Sequence, residues 1–125
     1  MSAAPAVRVL VVDDDKSIRD VLNKILTQKG FGVAMADSGA EALKQLQGGR
    51  FGLMLLDVRM PPGPNGMEIL PQALDLDPEL PVLMLTGVAD LTTAARCMQL
   101  GARDYLTKPI DLKALLGAIE KTLKH

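Results

Sequence analysis

The sequence contains few aromatic residues, one cysteine and one histidine. Only three of its 125 residues are aromatic, Phe31, Phe51 and Tyr105, whereas 48% are hydrophobic. The core must therefore be built mainly from aliphatic side chains. The single cysteine, Cys97, excludes an internal disulfide. Cys97 lies on a predicted helix and is interpreted as a small apolar core residue.

Long apolar runs and a large excess of one charge are also missing. No run approaches the ~20 residues of a membrane span. The opening segment MSAAPAV lacks the basic and apolar regions of a secretory signal. The net charge of −1 gives no general attraction to nucleic acid or to anionic membranes. We therefore expect a cytoplasmic protein with no direct nucleic-acid binding and no membrane association. Residues 1–6 are expected to be a flexible tail, and residues 7–125 one domain.

Apolar runs alternate with segments of helical periodicity along the whole chain. Each run is short and rich in aliphatic residues, as in strands buried on both faces. The predicted strands are 7–12, 31–36, 53–56, 81–85 and 105–106. Five β–α units of this length predict an α/β fold, a single doubly wound (βα)5 flavodoxin-like domain. The expected order of its parallel sheet is 2-1-3-4-5.

Local signals mark the ends of the predicted helices. Gly30 should stop the first helix, and Ser38 with Glu41 predicts a capping box at the start of the second. Residues 61–66, PPGPNG, contain three prolines and two glycines and should form a loop. Asp111 is expected to be the N-cap of the last helix.

Polar side chains follow four of the predicted strands. Asp13 and Asp14 follow the first, Asp57 the third, Thr86 the fourth and Lys108 the fifth. Ligands of such sheets bind beyond the carboxyl ends of the strands. Converging carboxylates repel one another unless a cation is present, and Mg²⁺ prefers oxygen ligands. The pattern thus predicts a Mg²⁺ site with a carboxylate that can act as a nucleophile toward phosphate.

Taken singly, each of these residues has a simpler explanation. Acidic residues after a strand often cap the next helix, and Asp15 is expected to do only that. A lone aspartate such as Asp57 is more often found in a turn, and a lone threonine or lysine at the surface. These explanations weaken because the four features occur at four strand ends on one edge of the sheet.

The motifs VLVVDDD, LLDVRMP, LMLTG and YLTKP, in this order and spacing, resemble the receiver domain of bacterial response regulators in two-component signalling. The resemblance extends from Val7 to about Leu123. It implies a phosphoacceptor switch in a phosphorelay that receives phosphate from a histidine kinase or a phosphotransfer protein. Such a domain catalyses only its own phosphorylation and dephosphorylation, so we expect no other enzyme activity.

The resemblance also implies roles for individual residues. Asp57 would be the phosphorylated residue, with Thr86 and Lys108 holding the phosphoryl group. Mg²⁺ would be bound by Asp14 directly, Asp13 through water, Asp57, and the backbone carbonyl of Arg59. Thr86 and Tyr105 would form the switch, with the Tyr105 ring turning inward as Thr86 moves. A cis peptide bond between Lys108 and Pro109 is also expected.

The sequence departs from the family pattern in the loop 61–66, which is about one residue longer than usual and rich in proline. Two other functions are compatible with this fold class. A flavin-binding module would need a phosphate-binding loop after the first strand and aromatic residues, and both are missing. A small Mg²⁺-dependent aspartyl phosphatase would fit the spacing of Asp13 and Asp15, but it would leave Asp57 without a role.

The sequence bears on two aspects of the output: whether the domain acts alone, and which surface carries the signal. Both a stand-alone shuttle and the receiver of a longer regulator fit the sequence, and a last helix running to Lys124 favours the second. The surface of helix 4, strand 5 and helix 5, roughly residues 87–123, is expected to change on phosphorylation. It would bind a partner, an output domain or a second copy of the domain.

Overall fold

The computed structural model describes residues 6–61, 63, 65–87 and 91–124. Five strands alternate with five helices along the described chain. The strands are β1 (Arg8–Val12), β2 (Gly32–Ala36), β3 (Leu53–Asp57), β4 (Val82–Thr86) and β5 (Asp104–Thr107). The helices are α1 (Lys16–Gln28), α2 (Gly39–Gly48), α3 (Gly66–Leu76), α4 (Leu91–Gln99) and α5 (Leu112–Leu123).

The strands form one parallel sheet in the order β2-β1-β3-β4-β5, which confirms the predicted topology. The register places Val12 beside Leu56 and Thr86 beside Thr107. The carboxyl ends of β1, β3, β4 and β5 therefore share one edge of the sheet, hereafter the carboxyl edge. No helix in the described part of the chain is long and apolar enough to cross a membrane.

The central strands are buried on both faces, which explains their nearly continuous apolar sequence. In β1, Leu10 and Val12 face one cluster, and Val9 and Val11 face the other. The first cluster is completed by residues of α2, α3 and α4, and the second by residues of α1 and α5. Cys97 of α4 lies in the first cluster, and its burial raises the pKa of its thiol. The prediction of a small apolar core residue at position 97 is confirmed.

The helix ends agree only in part with the prediction. Gly30 follows α1 at a φ of +93°, a conformation that glycine adopts most readily. Ser38 accepts a hydrogen bond from Glu41 N, which is one half of the expected capping box.

The complete box forms at α3, between Asn65 and Glu68. Asp111 occupies the N-cap position of α5, but its side chain makes no capping hydrogen bond. The sequence pattern identifies these positions but not which side chains turn toward the helix end.

The loop between β3 and α3 was expected to span residues 61–66, of which 62 and 64 lie outside the described residues. It ends one residue earlier, because Gly66 is already the first residue of α3. Gly66 N donates a hydrogen bond to Val58 O at 2.7 Å. A Cβ atom at position 66 would overlap the carbonyl oxygen of Asp57. The start of α3 can therefore approach the end of β3 only because residue 66 has no side chain.

We expect Gly66→Ala to destabilise the fold by about 1–3 kcal/mol, the usual range for overpacking, because the opposing atoms belong to the backbone. Gly48→Ala is the matched control, since a Cβ at that helical glycine has no neighbour within 4 Å. Urea denaturation should show a much larger loss for Gly66→Ala than for Gly48→Ala. Equal stabilities of the two variants would contradict the close approach of α3.

Candidate functional site

The loop between β1 and α1 is built around Asp13, which is fully buried. Asp13 N donates to Ala36 O at 3.1 Å, which ties the loop to the end of β2. Asp13 Oδ1 accepts a hydrogen bond from Asp15 N at 2.9 Å. Asp15 in turn caps α1 by accepting from Ser17 N at 2.8 Å, as predicted. The acidic loop is thus held at both of its ends.

Asp57 is the last residue of β3, and only 3% of its surface is exposed. Its backbone continues the sheet, because Val58 N donates to Leu85 O at 2.8 Å. Arg59 N lies 3.3 Å from Asp57 Oδ1, and the Arg59 residue itself is exposed. The carboxylate is therefore fixed by a rigid strand below it and a short turn above it.

Lys108 brings its ammonium group between two buried carboxylates. Its Nζ lies 2.8 Å from Asp13 Oδ2 and 3.2 Å from Asp57 Oδ2. Lys108 N donates to Thr86 O at 2.7 Å, which sets the height of the lysine above the carboxyl edge. The following peptide bond, Lys108–Pro109, is cis, as the resemblance implied.

Burial and charge alter the acidity of this cluster. The pKa of Asp57 is raised to about 6, mainly by burial and also by the neighbouring carboxylate of Asp13, against the opposing effect of Lys108. Burial alone would lower the pKa of Lys108. Its contacts with Asp13 and Asp57 outweigh that effect, and the pKa of Lys108 is raised. Lys108 is therefore charged, whereas Asp57 has an unusually high affinity for a proton.

The donor set fits a hard divalent cation. Asp13, Asp14 and Asp57 each offer one carboxylate oxygen, and these three oxygens lie within 4.8 Å of one another. Asp13 Oδ2 is buried, and the Lys108 ammonium lies 2.8 Å from it. Asp14 is exposed and gives access from solvent. Clustered carboxylate oxygens with one open side are ligands of the kind that Mg²⁺ takes.

Thr86 and Tyr105 lie on the same face of the sheet. Thr86 ends β4 and is 3% exposed. Thr86 pairs with Thr107, and Met84 pairs with Tyr105, so Thr86 and Tyr105 are diagonal neighbours. Tyr105 is partly buried and packs against the first core cluster. The structure thus brings together all the predicted site residues, with Tyr105 behind Thr86.

Sequence reasoning missed two residues that shape the site. Arg19 of α1 donates from Nη1 to Asp13 O at 2.7 Å. Gly66 allows α3 to pack against the carbonyl oxygen of Asp57. Neither follows a strand, so the pattern of polar strand ends could not reveal them. The pair Asn65–Gly66, directly before a helical segment, was the available signal for Gly66.

Comparison with known proteins supplies a family for this arrangement. The family model for the response regulator receiver domain matches residues 9–120. The transcriptional regulatory protein ZraR of Escherichia coli K12 is 41% identical over 117 residues, which are 94% of this chain and 26% of ZraR. The chain therefore spans about a quarter of the length of that relative.

Solved structures agree with this assignment. A CheY-like receiver domain protein from Methanospirillum hungatei JF-1 superimposes with a TM-score of 0.91 at 33% identity, covering 96% of this chain and 95% of that one. A response regulator from Burkholderia pseudomallei, solved with a phosphorylated aspartic acid, a calcium ion and citrate, gives a TM-score of 0.86 at 29% identity. That match covers 94% of this chain and 69% of the other. By sequence and by fold, the chain belongs to the response regulator receiver domains, the phosphoacceptor switches of two-component signalling.

Proposed function

We propose that Asp57 is the phosphoacceptor of this receiver domain and takes its phosphoryl group from a histidine kinase or a phosphotransfer protein. The observation that carries the proposal is the position of Lys108, whose ammonium contacts both Asp57 and Asp13 in a buried cluster. Of the three clustered carboxylates, Asp57 is the one at the end of a central strand. It has rigid support and a cation at its side, as a nucleophile requires.

The reaction is the transfer of a phosphoryl group to a carboxylate oxygen. An oxygen of Asp57 forms a bond to phosphorus, and the bond from phosphorus to the donor's imidazole nitrogen breaks. The leaving imidazole keeps the electron pair. Only ionised Asp57 can act in this way, so the proton that its raised pKa favours must first leave.

Lys108 and Thr86 are proposed to hold the transferred group. The ammonium of Lys108 lies beside Asp57 already and is charged, so it can neutralise a phosphoryl oxygen without a large movement. Thr86 is joined to Lys108 through the backbone. The hydroxyl at the end of β4 and the ammonium beyond β5 therefore belong to one connected unit.

Asp13, Asp14, Asp57 and the carbonyl of Arg59 are proposed to hold Mg²⁺. When bound, the metal neutralises charge on the carboxylates and on the phosphoryl oxygens. The related structure from Burkholderia pseudomallei contains both a phosphorylated aspartic acid and a calcium ion, which agrees with the use of a divalent cation. The three carboxylate oxygens of Asp13, Asp14 and Asp57, which lie within 4.8 Å of one another, support it independently.

Phosphorylation is proposed to alter the surface of residues 87–123, which then binds the partner. Residues 88–90 of this surface lie outside the described residues. Thr86 drawn toward the phosphoryl group would leave space for the ring of Tyr105 behind it. A local charge would thereby bias a two-state element. The partner that binds the altered surface is a second copy of the domain, an output domain or another protein in the cytoplasm. No observation favours the aspartyl phosphatase alternative over this reading.

Incubation with acetyl phosphate and Mg²⁺ should add one phosphoryl group to the protein, measured by intact-protein mass spectrometry. Asp57→Asn should remove the modification because the amide is not a nucleophile of this kind. Asp37→Asn is the matched control, since Asp37 is an exposed acid just after β2 at the carboxyl edge. Full labelling of Asp57→Asn would show that another residue accepts the phosphate.

Mg²⁺ should raise the melting temperature, because it relieves repulsion among the three carboxylates. At a hundred times the dissociation constant the gain is ~2.7 kcal/mol. Asp14→Asn should lose most of this gain, whereas Asp37→Asn should keep it. Differential scanning fluorimetry with a Mg²⁺ titration measures both. An unchanged melting temperature of the wild type in millimolar Mg²⁺ would argue against the metal site.

The metal-free protein should lose stability from Asp57 as the pH rises. In the folded protein the pKa of Asp57 is raised from 3.8 to about 6, so the folded state keeps the proton longer than the unfolded chain. The contribution of Asp57 to the free energy of unfolding is therefore complete below pH 3.8 and is lost as the pH rises through about 6.

The difference in free energy of unfolding between wild type and Asp57→Asn isolates this group, because the amide does not titrate. Urea denaturation in the presence of a chelator should show wild type losing stability relative to the variant mainly between about pH 4 and pH 6. Parallel curves for the two proteins would contradict the raised pKa.

A further inference from the structure

We propose that Arg19 is a positioning residue for the Mg²⁺-binding loop and acts through the backbone carbonyl of Asp13. The inference deepens the proposed function and rests on it, because it assumes that Asp13 and Asp14 hold the metal. Arg19 itself touches neither Asp57 nor Lys108 through any hydrogen bond or ion pair in the described part of the chain.

The bond follows from the position of Arg19 in α1. Arg19 lies one turn after the N-cap, and its backbone N donates to Asp15 O at 3.1 Å. Side chains of a helix lean toward its N-terminus. The guanidinium therefore reaches back over the first turn, where Nη1 donates to Asp13 O at 2.7 Å. That bond is partly buried, so water competes for it less than at an exposed site.

The carbonyl that Arg19 holds belongs to the peptide unit joining Asp13 to Asp14. A peptide unit is planar from one Cα to the next, so fixing its oxygen fixes the plane. The preceding peptide unit is held by the hydrogen bond that Asp13 N donates to Ala36 O. The following unit is held by the hydrogen bond that Asp15 N donates to Asp13 Oδ1. Arg19 supplies the third restraint of this set. The direction in which the exposed side chain of Asp14 leaves the backbone depends on it.

The charge of Arg19 is not used in an ion pair. Arg19 borders a shallow cleft with Asp37 and Glu41. Among the described residues, no carboxylate oxygen lies within 4.0 Å of its guanidinium nitrogens. The contact that the structure does show is directional and goes to a neutral carbonyl. This favours a role in geometry over a role in charge.

Geometry and charge give opposite expectations for Mg²⁺ binding. If Arg19 acted only as a nearby positive charge, its removal would strengthen the binding of a cation. If it positions the loop, its removal weakens binding because Asp14 is no longer held in place. The sign of the change therefore distinguishes the two roles.

The test is isothermal titration of Mg²⁺ into the metal-free protein and its variants. Loss of a group that orients metal ligands typically weakens affinity ~10–100-fold, and we expect Arg19→Met to fall in that range. Arg19→Gln, whose amide is too short to reach the carbonyl, should weaken binding similarly. Arg19→Lys keeps a donor of nearly the right length and should recover much of the affinity.

Lys16→Met is the matched control for charge. Lys16 lies on the same helix, is highly exposed and forms an ion pair with Asp20. Its removal should leave Mg²⁺ binding unchanged or slightly stronger. The second readout is the rate of phosphorylation by acetyl phosphate as a function of Mg²⁺ concentration. For Arg19→Met the half-saturating Mg²⁺ concentration should rise, while the rate at saturation stays near that of wild type.

The outcomes separate the inference from the proposed function. Absence of Mg²⁺ binding by the wild type would overturn the proposed function, and this inference with it. Wild-type binding matched or exceeded by Arg19→Met and Arg19→Gln would overturn the inference alone. A lower saturated rate at an unchanged half-saturating concentration would also overturn it.

Discussion

Two carboxylates, Asp13 and Asp57, are buried around a single ammonium group, and the rest of the site depends on this imbalance of charge. With all three groups ionised, the buried cluster carries one more negative charge than positive. Water cannot screen that excess at this depth, so the protein must take up a proton or a cation. The raised pKa of Asp57 is the first response, and a divalent metal at Asp13 and Asp14 would be the second.

These two responses exclude each other, because proton and metal compete for the same charge deficit. A cation beside Asp57 favours its ionised form, and the ionised form is the one that can attack phosphorus. In the proposed function, binding of a metal and activation of Asp57 as the nucleophile would therefore be one electrostatic event. The cluster can be buried at all because four parallel strands end at one edge and place its groups on rigid supports. Removing Lys108 would leave two buried carboxylates uncompensated, so the lysine contributes to the stability of the fold besides the phosphate-binding role proposed for it.

The sequence predicts most of this site because each chemical group lies at the end of a strand or just after it. Short apolar runs predict the strands, parallel order brings their carboxyl ends together, and the polar residue after each run must then lie at the carboxyl edge. The same reasoning fails for contacts that cross between elements. Arg19 reaches Asp13 because of its side-chain direction on α1, and Gly66 matters because of the depth to which α3 packs.

Capping shows the same limit on a smaller scale. Ser38 with Glu41 and Asn65 with Glu68 have equivalent spacings, yet the complete box forms only at Asn65. Asp111 stands at the correct position but makes no capping bond. Several low-energy rotamers are open to a short polar side chain at the surface, and the local sequence does not choose among them.

The backbone bond between Lys108 and Thr86 decides how far a local change can spread. Lys108 contacts Asp57 through its side chain and Thr86 through its amide, so the loop after β5 is joined to β4 at the height of the site. Tyr105 stands three residues before Lys108, on the face of the sheet shared with Thr86. A shift of the Lys108 ammonium toward a phosphoryl group would pull on this bond from one side. A shift of Thr86 would pull on it from the other. Because one hydrogen bond joins the two backbones, the loop after β5 and the end of β4 would tend to move together, and the packing of Tyr105 would adjust to both. The coupling follows from one short contact at the end of two paired strands and needs no pathway through the core.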